Sequence, residues 1–111
     1  MGASYKVLGQ QTPTANTNTT LYTVPASTNT IVSTINICNP NAAANVGVNI
    51  AVVPSGRSLS QNNYIVYQLP IPSYDAVALT MGITLASNDS IQVYATNYSN
   101  VAFSAFGTEI T

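Results

Sequence analysis

A chain of 111 residues is long enough for one domain with a single core, and it buries about two-thirds of the surface its unfolded form exposes. Charge is the outlier: Lys6, Arg57, Asp75, Asp89 and Glu109 make up the whole charged set, 5% of the chain against roughly 25% in ordinary domains. With a net charge of −1 and no basic stripe, the chain lacks both the main source of nucleic-acid affinity and the polybasic signal of a membrane-surface protein.

The opening MGASYKVLGQ has no apolar signal-peptide core, and Lys6 breaks the N-myristoylation pattern, which needs Ser or Thr there. A first short strand is expected over Tyr5 to Leu8. Residues 9–20 read as an extended polar loop or arm, because QQTPTANTNTT lacks the apolar residues that anchor a segment to a core. The expectation is that Gln10 to Thr20 is mobile in the isolated chain and ordered against a neighbouring chain in an assembly. Thr12, Thr14, Asn16 and Asn18 are therefore candidate contact residues.

From Leu21 onward apolar residues alternate with period two, the signature of half-buried strands. After a strand over Leu21 to Val24, IVSTINIC places Ile31, Ile35 and Ile37 on one face and Val32, Thr34 and Asn36 on the other. VGVNIAV sets Val46, Val48, Ile50 and Val52 against Gly47, Asn49 and Ala51. IVYQLPI sets Ile65, Tyr67, Leu69 and Ile71 against Val66 and Gln68. The last three segments place Val77, Leu79 and Met81, then Ile91, Val93 and Ala95, then Val101, Phe103 and Ala105 toward the core. Turn signals punctuate the series at Asn39 to Asn41, Pro54 to Gly56, Pro72 to Asp75, Ser87 to Asp89 and Asn97 to Asn100. The expected fold is all-β: one antiparallel β-sandwich domain of about eight strands over residues 1–111. A jelly roll is a closure that limits open edges.

The second strand faces carry Gly47, Asn49, Ala51, Ala76, Ala78, Thr80, Gln92, Thr96, Ala102 and Ser104 where Lys and Glu would be usual. Such groups lose little entropy when immobilised and have no charge to desolvate. They suit either a surface lying against another protein or a weakly charged solvated face.

Catalytic constellations are missing. The chain has no His, which removes the commonest general base and metal ligand. Cys38 is the only cysteine, with no partner for a disulfide or a thiolate metal site, and reads as a small packed hydrophobe. Asp75 and Asp89 sit in turn signals, and no D-x-D-x-D spacing suggests calcium. Neither an enzyme nor a cofactor or metal site is expected. Tyr64, Tyr74, Tyr94 and Tyr98, near predicted loops, are candidates for an interface or a sugar platform, against the simpler reading that tyrosines fill strand positions.

LYTVPASTNTIVSTINICN (Leu21 to Asn39) resembles small structural proteins of tailed bacteriophages, especially cyanophages. The resemblance continues through VVPSGRSL, NYIVYQLPIP, ALTMGITLASNDSIQVYAT and FSAFGTEIT. In relatives the turn before the D-x-I-x-V-Y strand often has Gly; here Asn88 takes that place, a residue that tolerates a left-handed conformation. The resemblance implies a virion component without enzymatic activity. The expected partners are the major capsid protein or another virion protein, with the chain a homo-oligomer (trimer or dimer), and the near-neutral charge leaves no nucleic acid or membrane partner. A decoration or cement protein on the capsid surface is the first expectation. A tail, neck or fibre module, with host glycan as a further partner, is the second. A secreted or surface adhesin domain is a third, opposed by the missing signal peptide; the sequons at Asn18, Asn88 and Asn97 are expected by chance in a chain this rich in Asn, Thr and Ser.

Overall fold

A computed structural model, which describes residues 2–41 and 45–111, shows eight strands among those residues: β1 (Ala3–Gln11), β2 (Thr19–Thr23), β3 (Asn29–Asn39), β4 (Val46–Val53), β5 (Tyr64–Ile71), β6 (Asp75–Leu85), β7 (Ser90–Ala95) and β8 (Ala102–Ile110). They form two four-stranded antiparallel sheets, ordered β1-β8-β3-β6 and β2-β7-β4-β5. Strand β1 pairs with β8, β2 with β7, β3 with β6 and β4 with β5, as in one long hairpin wrapped over itself. This nesting is the jelly roll.

The core lies between the sheets. Val32, Ile35, Ile37, Leu85, Phe103 and Ala105 of the first sheet meet Val46, Val48, Ile50, Ile71, Ile91, Val93 and Ala95 of the second, all essentially inaccessible to water. The inward sets expected on β7 and β8 hold throughout, as do Val46, Val48 and Ile50 on β4. On β6, Val77 and Leu79 face the core but are only half-buried, because β6 is an edge strand.

Two bulges overturn the alternation expected elsewhere, since one extra residue flips every later side chain to the other face. On β3 the register shifts between Val32 and Thr34. Thr30 and Val32 point inward before the shift and Ile35 and Ile37 after it, so Ile31 is 43% exposed rather than core. The extra residue, Ser33, donates from Oγ to the Phe106 carbonyl at 3.1 Å.

On β5 the break falls between Val66 and Leu69, where Gln68 takes a φ of +55°. Ile65 and Tyr67 face outward and Val66 packs on the core in their place, while Leu69 and Ile71, beyond the break, keep the expected inward face. Asn49, 5% exposed, accepts the Gln68 N–H at 2.7 Å. Asn49→Leu removes that acceptor while roughly keeping side-chain volume. It should cost about 1 kcal/mol, the net worth of a lost hydrogen bond whose donor belongs to the exposed Gln68, read as a lower midpoint in urea unfolding.

The polar loop expected over 9–20 is confined to residues 12–18, because β1 runs to Gln11 and β2 begins at Thr19. It does not hang free. Pro13 is buried, the Asn16 N–H donates to the Ala95 carbonyl at 2.9 Å, and the Ala15 N–H donates to Ser99 Oγ at 3.0 Å. Hydrogen bonds supply the anchoring that apolar side chains do not. The turn expected at Asn39 to Asn41 leads into residues 42–44, outside the described set.

Candidate interaction surfaces

Strand register brings three connections to one end of the sandwich. Gln11 pairs with Phe103, Asn39 with Asp75 and Val46 with Ile71, so loop 12–18, turn 72–74 and loop 96–101 share that end with the last residue of β3 and the first of β4. Most sequence candidates collect here. Thr12, Thr14, Asn16 and Asn18 are exposed. Asn16, at φ +59°, accepts from the Asn97 N–H at 3.2 Å and from the Tyr94 hydroxyl at 3.3 Å. Tyr94 is half-buried, and so is Tyr98, whose side chain packs on the core.

Tyr74 tops the turn between β5 and β6. It is 75% exposed and holds a φ of +55°, a strained region for a bulky side chain. The Asp75 N–H closes the turn on the Pro72 carbonyl at 3.2 Å, and buried Asn39 braces it by donating from Nδ2 to the Ile71 and Pro72 carbonyls. Tyr64 lies elsewhere, half-buried at the start of β5, edge-on to Tyr67 with ring centres 5.1 Å apart. Asn49 is not on the surface; it is committed to the β5 bulge.

The small outward residues divide between two faces. Gly47, Asn49, Ala51, Gln92 and Thr96 lie on the second sheet, where Asn49 and Ala51 are buried beneath larger neighbours. Ala76, Ala78, Thr80, Ala102 and Ser104 lie on the first. There they adjoin a patch that alternation alone does not reveal. Register aligns Tyr5, Thr108, Ile31 and Thr84 in one cross-strand row and Val7, Phe106, Thr34 and Thr80 in the next. Tyr5 is 83% exposed and Val7 49%, beside the exposed Ile31. The signal was present in the sequence at Tyr5 and Val7, which flank Lys6 in edge strand β1; the bulge at Ser33 hid Ile31.

Neither face carries a charge. Asp75 and Asp89 serve turns, as their positions suggested: Asp75 Oδ1 accepts the Ala76 N–H, and Asp89 accepts the Ser55 and Ala86 N–H groups. Arg57 is exposed in the β4–β5 loop. The other two charges pair with each other, Glu109 buried and Lys6 still about half exposed on edge strand β1. Lys6 Nζ meets Glu109 Oε1 at 2.6 Å, and Glu109 Oε2 accepts from the Tyr22 hydroxyl at 2.5 Å. Tyr22 also contacts Thr30 Oγ1 at 2.9 Å, so the cluster ties β1, β8 and β3 to β2 of the opposite sheet.

This cluster gives the fold two titration limits. Hydrogen bonds from Lys6 and then Tyr22 hold the Glu109 carboxyl below its ordinary value. Its contribution is present above the usual carboxylate range and is lost as pH falls below about 4.5. Burial, and then the bond to Glu109, push the Tyr22 phenol from 10.0 up to about 12. Its contribution is complete below pH 10 and falls as pH rises toward about 12, because only the unfolded chain ionises there. Solvent screening of the phenol limits the loss to about 1 kcal/mol. Thermal melts should show the decline, and Tyr22→Phe should flatten it.

Among the described residues, no three His, Cys, Asp or Glu side chains gather to hold a metal ion, and no helix is long and apolar enough to cross a membrane. A shallow hollow of about 350 Å³ is lined by Gln10, Gln11, Thr12, Ala102, Phe103 and Ser104, with no titratable group in its wall. Half-buried Cys38 faces outward on β3, between Ala76 and Ala102, rather than packing into the core.

No protein family and no curated protein matches the sequence. A virus structure shares this fold. A chain in the structure of infectious bursal disease virus, Gx strain, superposes with a TM-score of 0.50 over 97% of the present chain, at 10% identity. The present chain spans 31% of that chain's length.

Proposed function

We propose that this chain is a non-enzymatic structural component of a virion, working as a decoration or cement protein that docks on the capsid surface and buries area across capsomer joints. The observation that carries the reading is the jelly-roll strand order, an architecture used by viral capsid domains and shared over nearly the whole chain with the virus structure. The tailed-phage resemblance of the strand-and-turn segments supports it, and so do sheet faces without charge. A surface with no charges to desolvate costs little to bury against a neighbouring protein. The partner in this reading is the major capsid protein or another virion protein.

A tail, neck or fibre module that contacts host glycans is a second reading, favoured by one observation: Tyr74 presents its ring to solvent from a strained turn. Jelly rolls also serve as lectin domains. Rebinding separates the two. Purified chain added to particles that lack it should restore lattice-scale occupancy under the first reading. Saturation at a few copies, with glycan-array binding lost in Tyr74→Ala, would replace it with the second.

A further inference from the structure

The outer face of the sheet β1-β8-β3-β6 has no role within the domain, and its composition limits what can cover it. Tyr5, Val7 and Ile31 are exposed at one end, with half-buried Phe106 and Ile110 beside them and exposed Thr80 and Thr84 along the β6 edge. Phe106 lies across from Val7 on one side and Thr34 on the other; Ile110 pairs with Ala3 and Asn29. These residues form one surface spanning four strands, with no Lys, Arg, Asp or Glu among them. We propose that this face is the contact between two copies of the chain, packed face to face about a two-fold axis.

Two arguments favour a second copy as the occupant. Ordinary protein surfaces are about a quarter to a third charged, and each such charge laid on this face would be desolvated without a partner. The matching surface is another uncharged sheet face with an apolar patch, which a second copy presents. In a two-fold contact the same patch meets itself, so no like charges are brought together. Size agrees as well. Four strands spaced about 4.8 Å apart, each offering about nine residues at about 3.3 Å, make a face of about 600 Å² in projection. A corrugated surface of that outline approaches the roughly 800 Å² that each partner contributes to a standard specific interface. The proposal does not rest on the virion reading, since the dimer would form from purified chain alone.

Sedimentation equilibrium of the full chain, across a micromolar concentration series, tests it. The expected result is a monomer–dimer equilibrium. Ile31→Lys and, separately, Tyr5→Lys should weaken it at least about tenfold, because each buries a charge in the contact with no partner to meet it. Both positions are exposed, and circular dichroism melts should confirm that the variants fold. Thr84→Lys, in the same row on the edge strand, should act in the same direction should either fail to fold. Gln92→Lys, on the outer face of the opposite sheet, should leave the equilibrium unchanged. A monomeric wild-type chain would overturn the proposal, as would a dimer indifferent to charge at 5, 31 and 84. If Ile31→Lys abolished particle binding while the wild-type chain stayed monomeric, the face would belong to a different partner, and the second copy would be rejected with the virion reading intact.

Discussion

Phe103→Ala should remove about 3–5 kcal/mol of stability, a large part of the 5–15 kcal/mol available to a domain of this size. Phe103 is one of only two Phe residues in the chain and is fully buried. It projects from β8, which pairs with both β1 and β3, so its ring sits where the first sheet is continuous on either side. Truncation removes the transfer free energy of the ring. It also leaves a cavity, because the backbone on both sides is hydrogen-bonded and cannot collapse into the space. The urea midpoint should fall with little change in slope, and Phe103→Leu should recover most of the loss. A Phe103→Ala variant within about 1 kcal/mol of wild type would mean that the two sheets do not close on this ring.

Gly107→Ala should be at least as damaging, although it adds only a methyl group. Gly107 pairs with Lys6 on β1 and with Val32 on β3, next to the bulge at Ser33. A Cβ built there overlaps the Ile31 carbonyl oxygen and comes within 3.0 Å of the Val32 Cα. Both obstacles are backbone, so no rotamer change relieves them and the pairing of β8 with β3 must open. A loss of about 3 kcal/mol or more follows. Gly82→Ala is the matched control. A Cβ there meets nothing within 4 Å, and Ala suits a strand no worse than Gly, so stability should hold or rise slightly. Parallel thermal melts of the two variants check the pair.

Much of this architecture could be read before any coordinates. Alternation located β3 to β8, because hydrophobic side chains in a two-layer sandwich must recur every second residue. It also set the phase on β7 and β8, which have no internal break among their core residues. Asn88 was readable too: it sits at φ +68°, where a Gly would be unstrained. The phase failed on β3 and β5, since a bulge adds one residue without any compositional mark. Ser33 looks like an ordinary outward polar residue, and only the positions of Val32 and Ile35 in three dimensions show the shift. The candidate surface was hidden for the same reason, because Ile31 reads as core on one side of the bulge and as surface on the other. The polar segment read as 9–20 narrows to loop 12–18, and its anchors stayed unread because they are backbone and Asn hydrogen bonds, which hydropathy does not register.

Quantitative mass spectrometry of particles purified from the native source tests the virion assignment most directly. The assignment predicts that the chain copurifies with intact particles through a density gradient, and a capsid decoration protein would be present in fixed ratio to the major shell protein, as many copies per particle. Absence of the chain from purified particles, with its abundance confined to the unassembled fraction, would contradict the assignment.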